Sequence, residues 1–242
     1  MIQMRKYQRI RAPFFEIGPK NYLFGDRVLE LALAADIVSE KYDVDIIFTA
    51  PYVDIRTVCE RTKNIHVFAP HMDCVPIGRG LANVLPESLK AAGAQGVMLN
   101  HSEKPLDHLT LSNTIERARK LGLITAVCAD SIDEINSIAL LNPEIIVAEP
   151  VELIGTGKGG NLDYVRDSCN AVRAINPEIL VLIGAGIRNG KDVYNVIFAG
   201  ADASGSSSGI SEAPDPILMI NEMVGAVRRA WNDRVTERIK VL

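Results

Sequence analysis

Short apolar segments alternate with longer amphipathic ones from one end of the chain to the other. Most of the short segments are about five residues of nearly continuous apolar character, typical of strands covered on both faces of a parallel sheet. They are Phe14–Gly18, Asp45–Thr49, Ile65–Ala69, Gly96–Asn100, Leu123–Cys128, Glu144–Ala148, Ile179–Gly184 and Ala201–Gly205. The last is the weakest strand prediction, because Ser and Gly dominate it. Between the strands, apolar residues recur at steps of three and four, as at Leu29, Ala32, Leu33 and Ile37, which predicts helices.

Capping residues support these boundaries. Ser131 precedes a helical run with Glu134 in its first turn, as expected of an N-terminal cap. Glycines follow three other helical runs, where a left-handed residue often ends a helix. They are Gly93, Gly122 and Gly200.

About eight strand–helix units in one undivided chain of 242 residues predict an α/β protein with a single (β/α)₈ barrel. We expect one domain over residues 1–242, with short N- and C-terminal extensions. The C-terminal segment Asn232–Leu242 fits either an extension of the last helix or a contact with a neighbour. A doubly wound open sheet alternates strands and helices in the same way, but usually with fewer units.

Composition narrows the function classes. With 26 Lys and Arg against 30 Asp and Glu, the net charge of −4 argues against a nucleic-acid or anionic-membrane binder. No apolar run approaches the roughly 18 residues of a membrane span. The four cysteines form no CxxC pair, which favours free thiols and a cytoplasmic location. No clustered ligands indicate a metal site, so we expect none.

In a barrel of this kind, functional groups lie at the carboxyl ends of the strands and in the loops that follow. Polar or glycine-rich segments follow five of the predicted strands. They are Gly18-Pro19-Lys20, Asn100-His101-Ser102-Glu103, Glu149-Pro150, Gly184-Ala185-Gly186 and Ser204–Gly209. The sequence therefore predicts one polar site at this end of the barrel.

These segments resemble the triosephosphate isomerase family, and its shorter archaeal form most closely. The similar motifs are LNHSE at 99–103, AEPVELIGTG at 148–157, GAGI at 184–187 and SSG at 207–209. Their order and spacing hold from about Phe14 to Val227. The resemblance implies a TIM barrel that needs no cofactor.

The resemblance also implies residue roles, which follow this family's established glutamate base, neutral histidine and lid loop. Glu149 would move a proton between neighbouring carbons, and neutral His101 would polarise the carbonyl oxygens. Lys20 would stabilise the enediolate charge, while Glu103 would order the site through hydrogen bonds. Backbone N–H groups would hold the substrate phosphate around Gly155, Gly186, Ser208 and Gly209.

Elementary chemistry agrees with these roles. Removing a proton next to a carbonyl needs a carboxylate near the carbon and a donor or cation near the oxygen. A phosphate dianion is well matched by backbone N–H groups where glycine lets the chain approach closely. One carboxylate that reaches both carbons suits a transfer on one face of the substrate.

The chain departs from the family near the reacting end of the site. The family reads N-x-K before its lysine, whereas this sequence has Gly18-Pro19-Lys20. We expect this change to remove a side-chain amide and to leave space. A family threonine that supports the neighbouring subunit's site is replaced around Leu81, and Pro70 stands where glutamine is common.

The leading hypothesis is an isomerase that interconverts dihydroxyacetone phosphate and glyceraldehyde 3-phosphate through an enediolate, as in glycolysis and gluconeogenesis. One alternative is an isomerase or epimerase of a four-carbon ketose phosphate of the erythrulose phosphate type, which extra space would suit. Another is a barrel that binds sugar phosphates without catalysis. The expected partners are a small phosphorylated sugar and further copies of the chain in a homodimer or homotetramer.

Overall fold

A computed structural model describes residues 9–150 and 162–241, with side chains as far as residue 237. Eight parallel strands form a closed barrel in which each strand pairs with its neighbours in sequence order. The strands are β1 (Phe14–Ile17), β2 (Asp45–Thr49), β3 (Ile65–Ala69), β4 (Gly96–Leu99), β5 (Ile124–Ala129), β6 (Ile145–Ala148), β7 (Leu180–Ile183) and β8 (Ala203–Ser206). The predicted (β/α)₈ barrel is confirmed, and closure between β1 and β8 excludes the open sheet.

Helices surround the barrel on the outside. They are α1 (Asp26–Tyr42), α2 (Ile55–Arg61), α3 (Pro86–Ala92), α4 (His108–Leu121), α5 (Ile132–Ala139), α6 (Leu162–Ile175), α7 (Gly190–Ala199), α8 (Ser208–Ser211) and α9 (Pro216–Val241). Of the two expectations for the C-terminal segment, the helical extension is confirmed, because α9 runs on to Val241. Within residues 9–150 and 162–241, no helix has the length and apolar character that crossing a membrane requires.

The predicted helix caps are confirmed. The Ser131 side chain accepts a hydrogen bond from the Glu134 N–H at 3.2 Å, at the start of α5. Positive φ angles mark all three glycines that follow helices. They are 105° at Gly93, 64° at Gly122 and 135° at Gly200.

The helix predicted from Leu29, Ala32, Leu33 and Ile37 is present as α1, but its buried face contains only part of that set. The helix buries Val28, Leu31 and Ala35 together with Ala32, whereas Ile37 is 66% exposed. Apolar residues occupy much of the helix circumference, so several stripes satisfy the helical period. Packing against the barrel selects one of them.

The strand β8 is buried although its sequence is only Ala-Ser-Gly-Ser. It pairs with β1 on one side, Phe14 opposite Ala203 and Ile17 opposite Ser206, and with β7 on the other. The Ser204 hydroxyl donates to the Ile183 carbonyl at 3.0 Å, so its polar group is satisfied inside the fold. Hydrogen bonding from both neighbours therefore supports a strand that the apolar pattern predicts only weakly.

Two layers of apolar side chains hold the barrel. One fills its interior and includes Phe14, Ile47, Phe68 and Met98. The other lies between the strands and the helices and is larger. A filled interior closes the barrel below its carboxyl-terminal mouth, which leaves that mouth as the place for a binding site.

Candidate active site

A cavity of about 900 Å³ opens at the carboxyl ends of the strands. Its walls come from the ends of the strands and the loops that follow them, including those after β2 and β3. All the described residues predicted for the site line it: Lys20, His101, Glu103, Glu149, Gly186, Ser208 and Gly209. The eighth, Gly155, lies outside the described residues.

Glu149 follows β6 directly, and its N–H donates to the Ala129 carbonyl at 2.9 Å, which continues the pairing with β5. Its carboxylate lies over Gly184, at the end of β7. A Cβ atom on Gly184 would be only 2.4 Å from Glu149 Oε1, so glycine is needed there to admit the carboxylate. Burial raises the pKa of Glu149, an effect that the Lys20 charge opposes and the Glu103 charge reinforces. A raised pKa makes this carboxylate a stronger base.

His101 is held with its proton on a defined nitrogen. Nδ1 accepts a hydrogen bond from the Glu103 N–H at 3.1 Å, so in the neutral ring the proton is on Nε2. Nε2 is 3.9 Å from Glu149 Oε2. Burial lowers the pKa of His101, and the Lys20 charge lowers it further. The imidazole is therefore neutral near pH 7 and offers an N–H donor beside the carboxylate.

Asn100 sets the position of His101 at the end of β4. It is buried with a φ of 56°, in the left-handed region where asparagine is tolerated. Its amide donates to the Cys128 carbonyl and to Glu134, both at 3.0 Å, and its carbonyl accepts from the Leu106 N–H. These bonds fix the turn that directs the histidine toward the cavity.

Lys20 has a φ of 46°, a conformation that non-glycine residues seldom adopt and that occurs often at functional sites. Its Nζ is 2.9 Å from Glu103 Oε1. The hydrogen bond from Lys20 holds the pKa of Glu103 below its usual range. Glu103 thus contacts both Lys20, through its side chain, and His101, through its backbone.

Two loops, after β7 and β8, bring Gly186, Ser208 and Gly209 to the wall of the cavity. Gly186 has a φ of 75°, and Ser208 and Gly209 open α8, where N–H groups have no acceptor within the helix. A Cβ atom on Gly209 would be 2.7 Å from the Ile187 carbonyl, so glycine lets these loops touch. The Ser206 hydroxyl donates to the same carbonyl at 2.9 Å. The arrangement suits a bound phosphate dianion.

Sequence reasoning missed an acid among the polar residues of the cavity, Glu16. Its carboxylate accepts a hydrogen bond from the Thr49 hydroxyl at 2.6 Å, between β1 and β2. Burial raises the pKa of Glu16 to about 7, opposed by the Thr49 hydrogen bond and the Lys20 charge and reinforced by the Glu149 charge. A single acid within the otherwise apolar strand Phe-Phe-Glu-Ile was the signal that could have revealed it.

Comparison with known proteins decides the family. A model of the triosephosphate isomerase family matches residues 21–209. The chain belongs to the triosephosphate isomerase family. Over 220 residues it is 34% identical to a triosephosphate isomerase of Methanobacterium bryantii, covering 89% of this chain and 97% of that protein.

Other archaeal relatives agree. Identity to a triosephosphate isomerase of Methanocaldococcus jannaschii is 36% over 207 residues, 84% of this chain and 94% of the relative. Identity to one of Saccharolobus solfataricus is 32% over 225 residues, 91% of this chain and 99% of the relative. The resemblance to the short archaeal form is therefore confirmed over nearly the whole barrel.

The expected consequence of Gly18, where the triosephosphate isomerase family has asparagine, needs correction. A Cβ atom on Gly18 would be only 2.9 Å from Glu16 Oε1. The carboxyl group of Glu16 therefore takes part of the space that the sequence predicts beside Gly18, which still lines the cavity. The site keeps a polar group near its reacting end, supplied by a residue of β1 two positions earlier.

The loop after β3 is the other departure from the family. Asp73 ties its two ends together, accepting from the Val84 N–H at 2.6 Å and lying 3.3 Å from His71 Nε2. Leu81, at the tip, is fully exposed. Among the described residues, no group of histidine, cysteine and acidic side chains could hold a metal ion.

Proposed function

We propose that this protein interconverts dihydroxyacetone phosphate and glyceraldehyde 3-phosphate through an enediolate intermediate. One observation carries the proposal: the Glu149 carboxylate is 3.9 Å from His101 Nε2, in the same cavity as Lys20 and the two glycine loops. Membership of the triosephosphate isomerase family supports the same reaction. No cofactor takes part, because the proton is carried by the protein's own carboxylate.

Each proton step uses a residue already in place. Glu149 removes a proton from the carbon next to the carbonyl group, and the resulting carboxylic acid returns it to the neighbouring carbon. His101 donates its Nε2 hydrogen bond to the oxygens on which negative charge develops. It also gives this proton to the former carbonyl oxygen and takes the hydroxyl proton from the neighbouring oxygen, so that the carbonyl and hydroxyl groups change places. Lys20 supplies a positive charge beside them. Fixed donors of this kind typically lower a barrier by about 3–4 kcal/mol each.

The substrate phosphate positions the reacting carbons for these steps. Backbone N–H groups around Gly186, Ser208 and Gly209 bind it, and we assign the same task to Gly155. Binding energy from this non-reacting group fixes the orientation of the carbons relative to Glu149.

The two alternative functions have less support. Space beside Gly18 favours a four-carbon ketose phosphate, but the Glu16 carboxyl group takes part of that space. A barrel that only binds sugar phosphates would not need a base, a neutral donor and a cation around one cavity.

Isomerisation in D₂O tests the proposal. The purified protein is given either triose phosphate, or erythrulose phosphate as the larger substrate, and product is followed by NMR. We expect turnover of the trioses with deuterium from solvent on the carbon that receives the proton. Glu149→Gln abolishes both exchange and turnover. Turnover of erythrulose phosphate alone, or binding of trioses without any exchange, would overturn the proposal.

We also propose that the enzyme is a homo-oligomer, either a dimer or a tetramer, in the cytoplasm. Large apolar side chains are exposed on the loops after β1, β2 and β3, at the same end of the barrel. They include Phe24 at 78%, Val53 at 88%, Ile77 at 73% and Leu81 at 106%. Such a patch on neighbouring loops is typical of an association surface. Sedimentation of the wild type against Leu81→Asp tests it: a monomeric wild type would contradict the proposal.

A further inference from the structure

We propose that Glu16 binds the substrate directly, as a protonated carboxylic acid that donates a hydrogen bond to an oxygen at the reacting end. In doing so it replaces the side-chain amide that the family's asparagine would provide. This inference deepens the proposed function and rests on it.

The Glu16 carboxyl group is in contact with the space where substrate would bind. It lines the cavity with Lys20, His101 and Glu149. It lies close to the backbone of both Gly18 and Gly205, because a Cβ atom on either glycine would be 2.9–3.1 Å from one of its oxygens. Two positions without side chains thus make room for one side chain. An asparagine at position 18 would therefore compete with the Glu16 side chain for the same space.

One oxygen of the Glu16 carboxyl group is free to bind substrate. Oε1 is bound by the Thr49 hydroxyl at 2.6 Å. Among the described residues, no hydrogen bond is made to Oε2, and this oxygen is not one of the fully buried polar atoms that lack a partner. Oε2 is therefore reachable from the cavity. A proton on it would complete a donor comparable to an amide N–H.

The surrounding charges favour the protonated acid when substrate is bound. The negative charge of Glu149 raises the pKa of Glu16, and the positive charge of Lys20 lowers it. The Cys128 thiol also lies nearby, but its pKa is raised and it is uncharged. The substrate brings a phosphate dianion and develops negative charge on its oxygens. An ionised Glu16 would repel that charge, whereas the acid form stabilises it.

This arrangement predicts a distinctive pH dependence. With the pKa of Glu16 near 7, the donor is present below pH 7 and is lost above it. We expect kcat/KM of the wild type to fall by roughly tenfold per pH unit above about pH 7. Glu16→Gln has a permanent N–H donor and cannot ionise, so its kcat/KM should stay level up to pH 9 and remain within about fivefold of the wild type at pH 6.5.

Two further variants separate donation from packing. Glu16→Gly should lower kcat/KM about 100-fold at pH 6.5, the typical loss for one donor to a developing oxyanion. Adding Gly18→Asn to it restores the family's N-x-K sequence in the vacated space, and should recover at least about tenfold. Glu144→Gln is the matched control, because that carboxylate accepts from Thr125 at the other end of the barrel. It should keep the wild-type pH profile.

Binding of 2-phosphoglycolate, measured by calorimetry at pH 6.5, tests Glu16 without turnover. We expect Glu16→Gly to bind it at least about tenfold more weakly, with binding of inorganic phosphate unchanged. The proposal is overturned if Glu16→Gln keeps the high-pH decline, or if Glu16→Gly changes neither kcat/KM nor phosphoglycolate binding. A wild type that binds phosphoglycolate through Glu16 but isomerises no triose would instead overturn the proposed function.

Discussion

Gly184→Ala should remove most of the activity while leaving the fold intact. The added methyl group would lie 2.4 Å from Glu149 Oε1, about 1 Å closer than ordinary van der Waals contact. The nearest atom outside Glu149, on Leu182, is 3.5 Å away and needs no adjustment. Gly184 also has no positive φ, so alanine adds no backbone strain there. The carboxylate is therefore the group that must move.

Moving a general base by about 1 Å typically costs about 100-fold in rate, or about 2.7 kcal/mol of activation free energy. We expect that loss in kcat, with KM changed much less, because the loops that bind phosphate stay where they are. The assay is initial rate against triose phosphate concentration, coupled to a dehydrogenase. Thermal unfolding of the same samples reports whether the barrel is intact.

Gly225→Ala is the matched control. It adds the same methyl group in α9, 3.2 Å from the Tyr42 ring and far from the cavity, so kcat should not change. If Gly184→Ala keeps kcat within about fivefold of the wild type, the carboxylate does not act from its position over Gly184.

Four further outcomes follow. His101→Gln should lower kcat about 100- to 1000-fold through loss of the Nε2 donor, and steady-state kinetics that show an unchanged kcat would rule out that donor. Gly209→Ala would place a methyl group against the Ile187 carbonyl and separate the phosphate loops, so KM for triose phosphate should rise about tenfold or more. KM for a non-phosphorylated analogue, measured in the same way, should not change. Arg234→Met should lower the free energy of unfolding by about 2–5 kcal/mol in urea titrations, because the buried guanidinium donates to two backbone carbonyls. Burial opposes ionisation of Asp45, but hydrogen bonds lower its pKa to about 2. The ionised group therefore stabilises the fold above pH 4, and this stabilisation is lost as pH falls toward 2. In Asp45→Asn, the urea midpoint should change less between pH 4 and pH 2 than in the wild type.

The sequence was sufficient to predict the barrel because strand and helix signals recur in a regular order. Apolar runs identify seven strands directly, and β8 follows from its place in the series. The buried face of α1 was not predictable, since too many of its positions are apolar. Only contact with the barrel distinguishes Ile37, which is exposed, from Val38, which is buried.

The site was predictable wherever a strand end carries a recognisable motif. Glu149, His101 and Lys20 stand at such ends, and the structure brings them to one cavity. Glu16 does not, because it lies inside a strand where one acid carries no motif. The space inferred at Gly18 is smaller than expected, because positions two residues apart along an extended chain share a face. A missing group at one position can therefore be supplied from the other.

The pairing of β1 with β8 has a consequence for folding during synthesis. Phe14–Ile17 is synthesised first, and its partner on one side, Ala203–Ser206, emerges almost 190 residues later. Throughout that interval β1 keeps one edge of unpaired backbone groups, which another chain can capture. A growing polypeptide on the ribosome thus carries an incomplete ring until β8 has emerged.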